Sequence, residues 1–242
     1  MIKQNKFLSL KDYEFSLEVD AKSRSEAFQN YINQMSQFET KPYWVMATSG
    51  VGAKMKLAGR DENISAYISN DYLGMSQRPE TIEAGIDALR KYGTGACAAQ
   101  AIGGYLDIHH KLEKEIAEFV GQEDAILFSS GFGANTGLLR AILGKNDIAY
   151  VDSYIHTSAT SGLRGTNIKH IGHNDIGYLD MILEKEAGKF KTRLVIIDGV
   201  YSQNGDLSKL PEYIAVCKKN NCLLMVDDAH GIGVMGKNGR GT

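Results

Sequence analysis

The feature that most constrains this chain is a set of short segments that are apolar along their whole length. Ile148–Val151, Leu194–Ile197 and Cys222–Val226 are such segments. A strand with one face in water alternates apolar and polar residues, whereas a strand covered on both faces does not. Between these segments the spacing becomes helical: Leu138, Leu139, Ile142 and Leu143 mark one helix, another is expected near Ser158, and Leu210–Lys219 forms a third. Ala125–Phe128 is a further apolar run and reads as one more strand. This alternation predicts an α/β fold, a mostly parallel sheet covered by helices on both faces.

The first part of the chain reads differently. Ser23-Arg24-Ser25-Glu26 has the form of a capping box, and Phe28, Tyr31, Ile32, Met35 and Phe38 follow at helical spacing. Pro42 then acts as a stop, and residues 49–62 suggest a hairpin or loop. From there the pattern is regular. Ile64–Ile68 alternates like a strand, Pro79 opens a helix carrying Ile82, Ile86 and Leu89, and Leu112, Ile116, Phe119 and Val120 mark another. The expected division is an N-terminal helical segment over 1–62 and a ligand-binding domain over 63–242.

Composition excludes several classes. Of 242 residues, 43% are hydrophobic and 23% charged, which rules out a disordered tail, a collagen and a coiled-coil rod. A net charge of -2 gives no footprint for nucleic acid or an anionic membrane. No apolar run is long enough to span a bilayer, and the polar start Met1–Lys6 leads into no signal-peptide core. Three cysteines without paired spacing suggest reduced thiols, so a cytoplasmic protein is expected.

Ligands of open parallel sheets lie beyond the carboxyl ends of the strands. Ser129–Asn135 joins a strand to a helix through small residues, as in a phosphate cradle or an ordinary turn. Asp227, Asp228 and His230 follow an apolar strand. A carboxylate there could ligate a metal, oppose a protonated ring nitrogen, or only cap the strand exit. Gly231–Gly236 spells G-x-G-x-x-G, but Lys237–Gly241 cannot open a helix, so a dinucleotide-dependent oxidoreductase is disfavoured. Asp152, His156 and Ser158 invite a hydrolase triad, yet no G-x-S-x-G elbow accompanies them. His109 and His110 point in different directions on a helix and would not share a metal.

Taken in order, these segments resemble the α-oxoamine synthases, pyridoxal-phosphate (PLP) enzymes of the aspartate-aminotransferase fold type. The resemblance runs through Asn70–Gly74, Gly93-Thr94-Gly95, His109–Glu113 and Ser130-Gly131-Phe132 with Asn135. It continues through Asp152 with His156 and Ser158, His173-Asn174-Asp175, Tyr201-Ser202, Gly205-Asp206 and Asp227–Gly231. It implies that Asp227 pairs with the PLP ring nitrogen and that His156 stacks on the ring. Gly131 and Phe132 would hold the phosphate, Ser202 and His230 the O3 region, and Asn70 would lie near the substrate. No metal is implied. The implied reaction condenses an amino acid with an acyl-CoA, with loss of CO2, to an α-amino ketone. Family members work as homodimers.

Three departures qualify the resemblance. Gln203-Asn204 replaces the more usual Met-Asp or Met-Glu, and Gln100 falls where several branches carry Arg. The lysine that anchors the cofactor should follow in a Thr-x-x-Lys segment soon after Gly241, and Lys237 lies in the glycine turn, not in that segment. The expectation is therefore a domain cut before its C-terminal part, inactive in this 242-residue form. The competing expectation is a catalytically inactive partner subunit.

Overall fold

In the computed structural model, the described residues are 20–35 and 45–242. The chain divides into two compact units, one reaching to Gln77 and the other spanning Arg78–Thr242.

In the first unit, helix α1 covers Ala21–Met35. Its N-terminus is held by Asp20, not Ser23. The Asp20 carboxylate accepts the amides of Lys22 and Ser23, and Ser23 spends its own hydroxyl on Asp20. A carboxylate can take several of the free first-turn amides at once, so it outcompetes a hydroxyl one turn further in. Phe38 and Pro42 lie outside the described residues. Strands β1 (Lys54–Met55) and β2 (Ile64–Ser65) form a small antiparallel hairpin. The strand expected over Ile64–Ile68 is thus only two residues long. Tyr67 is 96% and Ile68 80% exposed, so the alternation there meets no partner strand.

The second unit begins with α2 (Pro79–Tyr92), opened by Pro79 and ended at Gly93, whose φ is 77°. Helix α3 (Asp107–Val120) ends in the same way at Gly121, left-handed at φ 72°. Next come α4 (Gly131–Ile142), β3 (Ile148–Asp152), α5 (Thr157–Gly162), β4 (Asn167–Ile171), α6 (Ile176–Lys185), β5 (Arg193–Asp198), α7 (Leu210–Lys219) and β6 (Leu223–Asp227). The four strands form one parallel sheet in the order β4-β3-β5-β6.

Strand parity organises this sheet. Ile148 and Tyr150 of β3 and Val195 and Ile197 of β5 face α6 and α7, where Leu179, Leu183, Tyr213 and Cys217 complete one core. Ala149 and Val151, with Leu194 and Ile196, face the other way and pack on Leu139 of α4 and Ala159 of α5. Both faces are covered, which is why these strands read as uninterrupted apolar runs. Parity also sets the strand-end carboxylates apart. Asp152 continues the Ile148–Tyr150 side. Asp198 continues the Leu194–Ile196 side, and Asp227 is its register partner on β6.

Two expectations fail here. Ala125–Phe128 belongs to no sheet among the described residues. The Leu127 amide donates to the buried Glu113 carboxylate at 3.0 Å instead of to a strand. Cys222–Val226 is a half-buried strand at the sheet edge, starting one residue later, with Leu223 facing outward. Two elements went unread. Strand β4 has a mixed Asn-Ile-Lys-His-Ile sequence because it is the opposite edge, and α6 is capped by Asp175, which accepts the Tyr178 amide. The apolar stripes of α2 and α3 (Ile82, Leu89, Leu112, Ile116) remain substantially exposed among the described residues.

Candidate active site

A cavity of about 390 Å3 opens beyond the carboxyl ends of β5 and β6, on the α4/α5 face of the sheet. It brings together six of the residues expected from sequence: Gly131, Phe132, His156, Ser202, Asp227 and His230. Asn70 belongs to the first unit, exposed in the turn that Asp71 closes by accepting the amides of Met75 and Ser76.

The wall from α4 is built by a side-chain cap. Ser130 Oγ accepts the Gly133 amide at 3.0 Å and its carbonyl accepts the Ala134 amide. Gly131 and Phe132 stand in the first helical turn, where amides have no intrahelical acceptor. A Cβ on Gly131 would meet no atom within 4 Å, and both residues line the cavity. An anion suits such a place.

The floor is the paired strand ends. Asp227 Oδ2 accepts Asn135 Nδ2 at 2.7 Å, and Oδ1 accepts the Ala229 amide at 3.2 Å. Both oxygens are oriented. Asp198, 4% exposed, has no partner for Oδ1 among the described residues. Burial and the neighbouring Asp227 and Asp152 carboxylates push Asp198 up to about 7, with only the His156 amide pulling the other way. An orphaned oxygen at a cavity wall is a place for a polar ligand atom.

The third side comes from α5. His156 is its N-cap, and Ser158 (buried) lies 2.6 Å from His156 Nδ1 through Oγ. Asn135 Nδ2 also reaches Ser158 Oγ at 2.8 Å. Asn135, Ser158 and Asp198 line this cavity too. All three stand in segments quoted for the resemblance or at a strand end, but a role for them is visible only once the strands have a parity.

The triad suggested by Asp152, His156 and Ser158 does not form. Asp152 faces the opposite core, where it binds His173 Nδ1 at 3.0 Å, the amides of Tyr154 and Asn174, and the Tyr213 hydroxyl at 3.3 Å. His173 also contacts Asp206 at 3.2 Å and is stacked on Tyr154. This network ties the turn after β5, with Ser202, to the end of β3.

The glycine series after β6 has a steric cause. A Cβ on Gly231 would stand 2.1 Å from Asp228 Oδ1, and one on Gly241 2.2 Å from Asp228 Oδ2. Asp228 in turn accepts the Thr242 amide at 3.0 Å and hydroxyl at 2.8 Å. No α-helix opens at Gly231, so the dinucleotide fingerprint has no physical basis here. Among the described residues no group of three or more His, Cys, Asp or Glu could hold a metal ion.

Comparison with known proteins gives the family and the fold. The family model for "Aminotransferase class I and II" matches residues 68–241. An 8-amino-7-oxononanoate synthase of Saccharophagus degradans is 41% identical over 199 residues, covering 81% of this chain and 50% of that protein. A serine palmitoyltransferase of Bacteriovorax stolpii is 43% identical over 177 residues, covering 72% of this chain and 42% of that protein. The chain belongs to the class I and II aminotransferase family, in its α-oxoamine synthase group. The fold agrees: a solved serine palmitoyltransferase of Sphingomonas wittichii superposes with a TM-score of 0.84 at 31% identity, over 92% of this chain and 56% of that one. Another, solved with PLP, gives 0.85 at 29% identity over the same shares. The chain spans about half the length of the curated relatives it matches. No helix among its described residues is long and apolar enough to cross a membrane.

Proposed function

We propose that this chain supplies the PLP site of a C-acyltransferase that condenses an amino acid with an acyl-CoA, releasing CO2 and CoA and leaving an α-amino ketone. Among the group's branches, an 8-amino-7-oxononanoate synthase-like reaction is the generic choice. One observation carries the reading: a fixed carboxylate, Asp227, and the first-turn amides of α4 face a single cavity. PLP has a basic ring nitrogen at one end and a phosphate at the other, and this pair of walls matches that polarity.

The residues present fit the group. Gly131 and Phe132 would receive the phosphate in the open space where a larger residue would put its side chain. Asp227 would hold a proton on the ring nitrogen, and bound PLP then supplies an electron sink for the carbanion formed at Cα. His156 would cover one face of the ring. Ser202 and His230 would bond its O3 region, and the orphaned Asp198 Oδ1 offers one more polar contact. Asn70 is assigned to the amino-acid substrate. The reading includes a cytoplasmic homodimer, for which the exposed apolar stripes of α2 and α3 are suitable surfaces.

A second reading is a catalytically inactive partner subunit, favoured by one observation: no lysine among the described residues lines the cavity. Equilibrium dialysis against PLP, followed by assay of acyl-CoA-dependent CoA release with a set of amino acids, tests both. Retention of PLP with CoA release supports the transferase. Retention without release from this form is expected under both readings, so release by the full-length protein decides between them: release there supports the transferase, and its absence supports the second reading. Absence of retention, unchanged in Asp227→Ala, overturns the transferase reading.

A further inference from the structure

Asn135 and Ser158 are buried, polar and linked to two residues of the proposed site, and their protons can be counted. Asn135 Nδ2 lies 2.7 Å from Asp227 Oδ2 and 2.8 Å from Ser158 Oγ. A carboxylate oxygen accepts, so the amide must turn its NH2 toward Asp227. That fixes the orientation of Asn135. One N–H goes to Asp227 and the other to Ser158 Oγ.

Ser158 Oγ then has one proton to give, and His156 Nδ1 stands 2.6 Å away. The Ser158 amide, which can only donate, also lies 3.3 Å from the same nitrogen. Two donors converge on Nδ1, so Nδ1 presents its lone pair. In a neutral imidazole the ring proton is then on Nε2.

We infer that Asn135 and Ser158 are positioning residues that carry the fixed orientation of Asp227 across to His156 and hold its ring in the Nε2–H tautomer. The chain of bonds runs from β6 through α4 to α5, so three elements are locked at one point. With its proton on Nε2, His156 covers the cavity as a flat ring and a donor, and offers no lone pair there to act as a base. The link to the cofactor rests on the proposed function; the tautomer itself is a property of the chain alone.

The test is a long-range 1H–15N correlation spectrum of the 15N-histidine-labelled chain without cofactor, with His156 assigned by its loss in His156→Gln. The expected spectrum has the Nε2–H pattern for His156. Ser158→Ala removes one donor and lowers the tautomer preference by roughly tenfold, moving the Nδ1 signal toward the protonated range. Asn135→Ala moves it in the same direction, and Ser158→Thr, which keeps the hydroxyl, restores the original pattern. Nδ1–H or averaged tautomers in the unmodified chain overturn the inference. An unshifted Nδ1 signal in a folded Ser158→Ala overturns it too. PLP dialysis is a separate readout, so failure of the cofactor reading leaves this result intact.

Discussion

At the residue scale the most informative group is Asp198. Its sequence context, the last residue of an apolar strand, is the same as that of Asp152 and Asp227. The three nevertheless have different fates. Asp152 is saturated by four donors, Asp227 is oriented by two, and Asp198 keeps one oxygen without a partner. Burial and the neighbouring negative charge raise Asp198 to about 7. The folded chain therefore keeps this proton up to near neutrality, whereas an unfolded aspartate loses it near pH ~4. The stability this provides is fully present below about pH 4 and is lost as pH rises through about 7. Asp198→Asn removes that dependence. Its gain over the parent chain, from denaturant titrations, grows by on the order of 2 kcal/mol between pH ~5 and ~8. A gain that stays flat with pH would show that Asp198 is ionised in the fold. Motif reading placed Asp227, His156 and Gly131 in one group because a family pattern names them. It gave Asp198 no role, since being orphaned is a matter of missing neighbours.

At the element scale, α4 and α5 form the unit that positions the cavity walls. Gly162 makes their approach possible: a Cβ there would stand 2.9 Å from Thr136 Cα and 3.1 Å from the Asn135 carbonyl. Backbone cannot move aside as a side-chain tip can. Gly162→Ala is expected to cost about 1–3 kcal/mol in thermal or denaturant unfolding. It should also weaken PLP retention, because α4 carries both Asn135 and the Gly131 turn. Weakened stability with unchanged retention would mean that α4 yields without moving its N-terminus. The α-helices other than α6 and the two central strands were legible because their periodicities are intact. Edge strand β4 was not, since one-sided burial leaves its sequence mixed. The Ala125–Phe128 run misled for the converse reason: β-favourable composition forms a strand only beside a partner.

At the scale of the whole molecule, two expectations follow from the proposed function. Saturating PLP at about 100 times its dissociation constant should stabilise the folded chain by about 2.7 kcal/mol, seen as a raised Tm that Asp227→Ala abolishes. Sedimentation velocity should show a dimer, and charged substitutions at Leu89 and Leu112 should shift it to monomer with the fold retained; a monomeric parent chain would remove the homodimer from the proposal. The sequence by itself determined the layered α/β architecture, because two-sided burial writes itself as uninterrupted apolar strands. It also determined the family, because many short segments recur in order. Only the tertiary structure decided which strand-end carboxylates share a face. A single residue of register sends Asp152 into the α6/α7 core, while Asp198 and Asp227 turn toward α4 and α5. Strand pairing fixes that parity through contacts between residues far apart in the chain, and no local pattern records it.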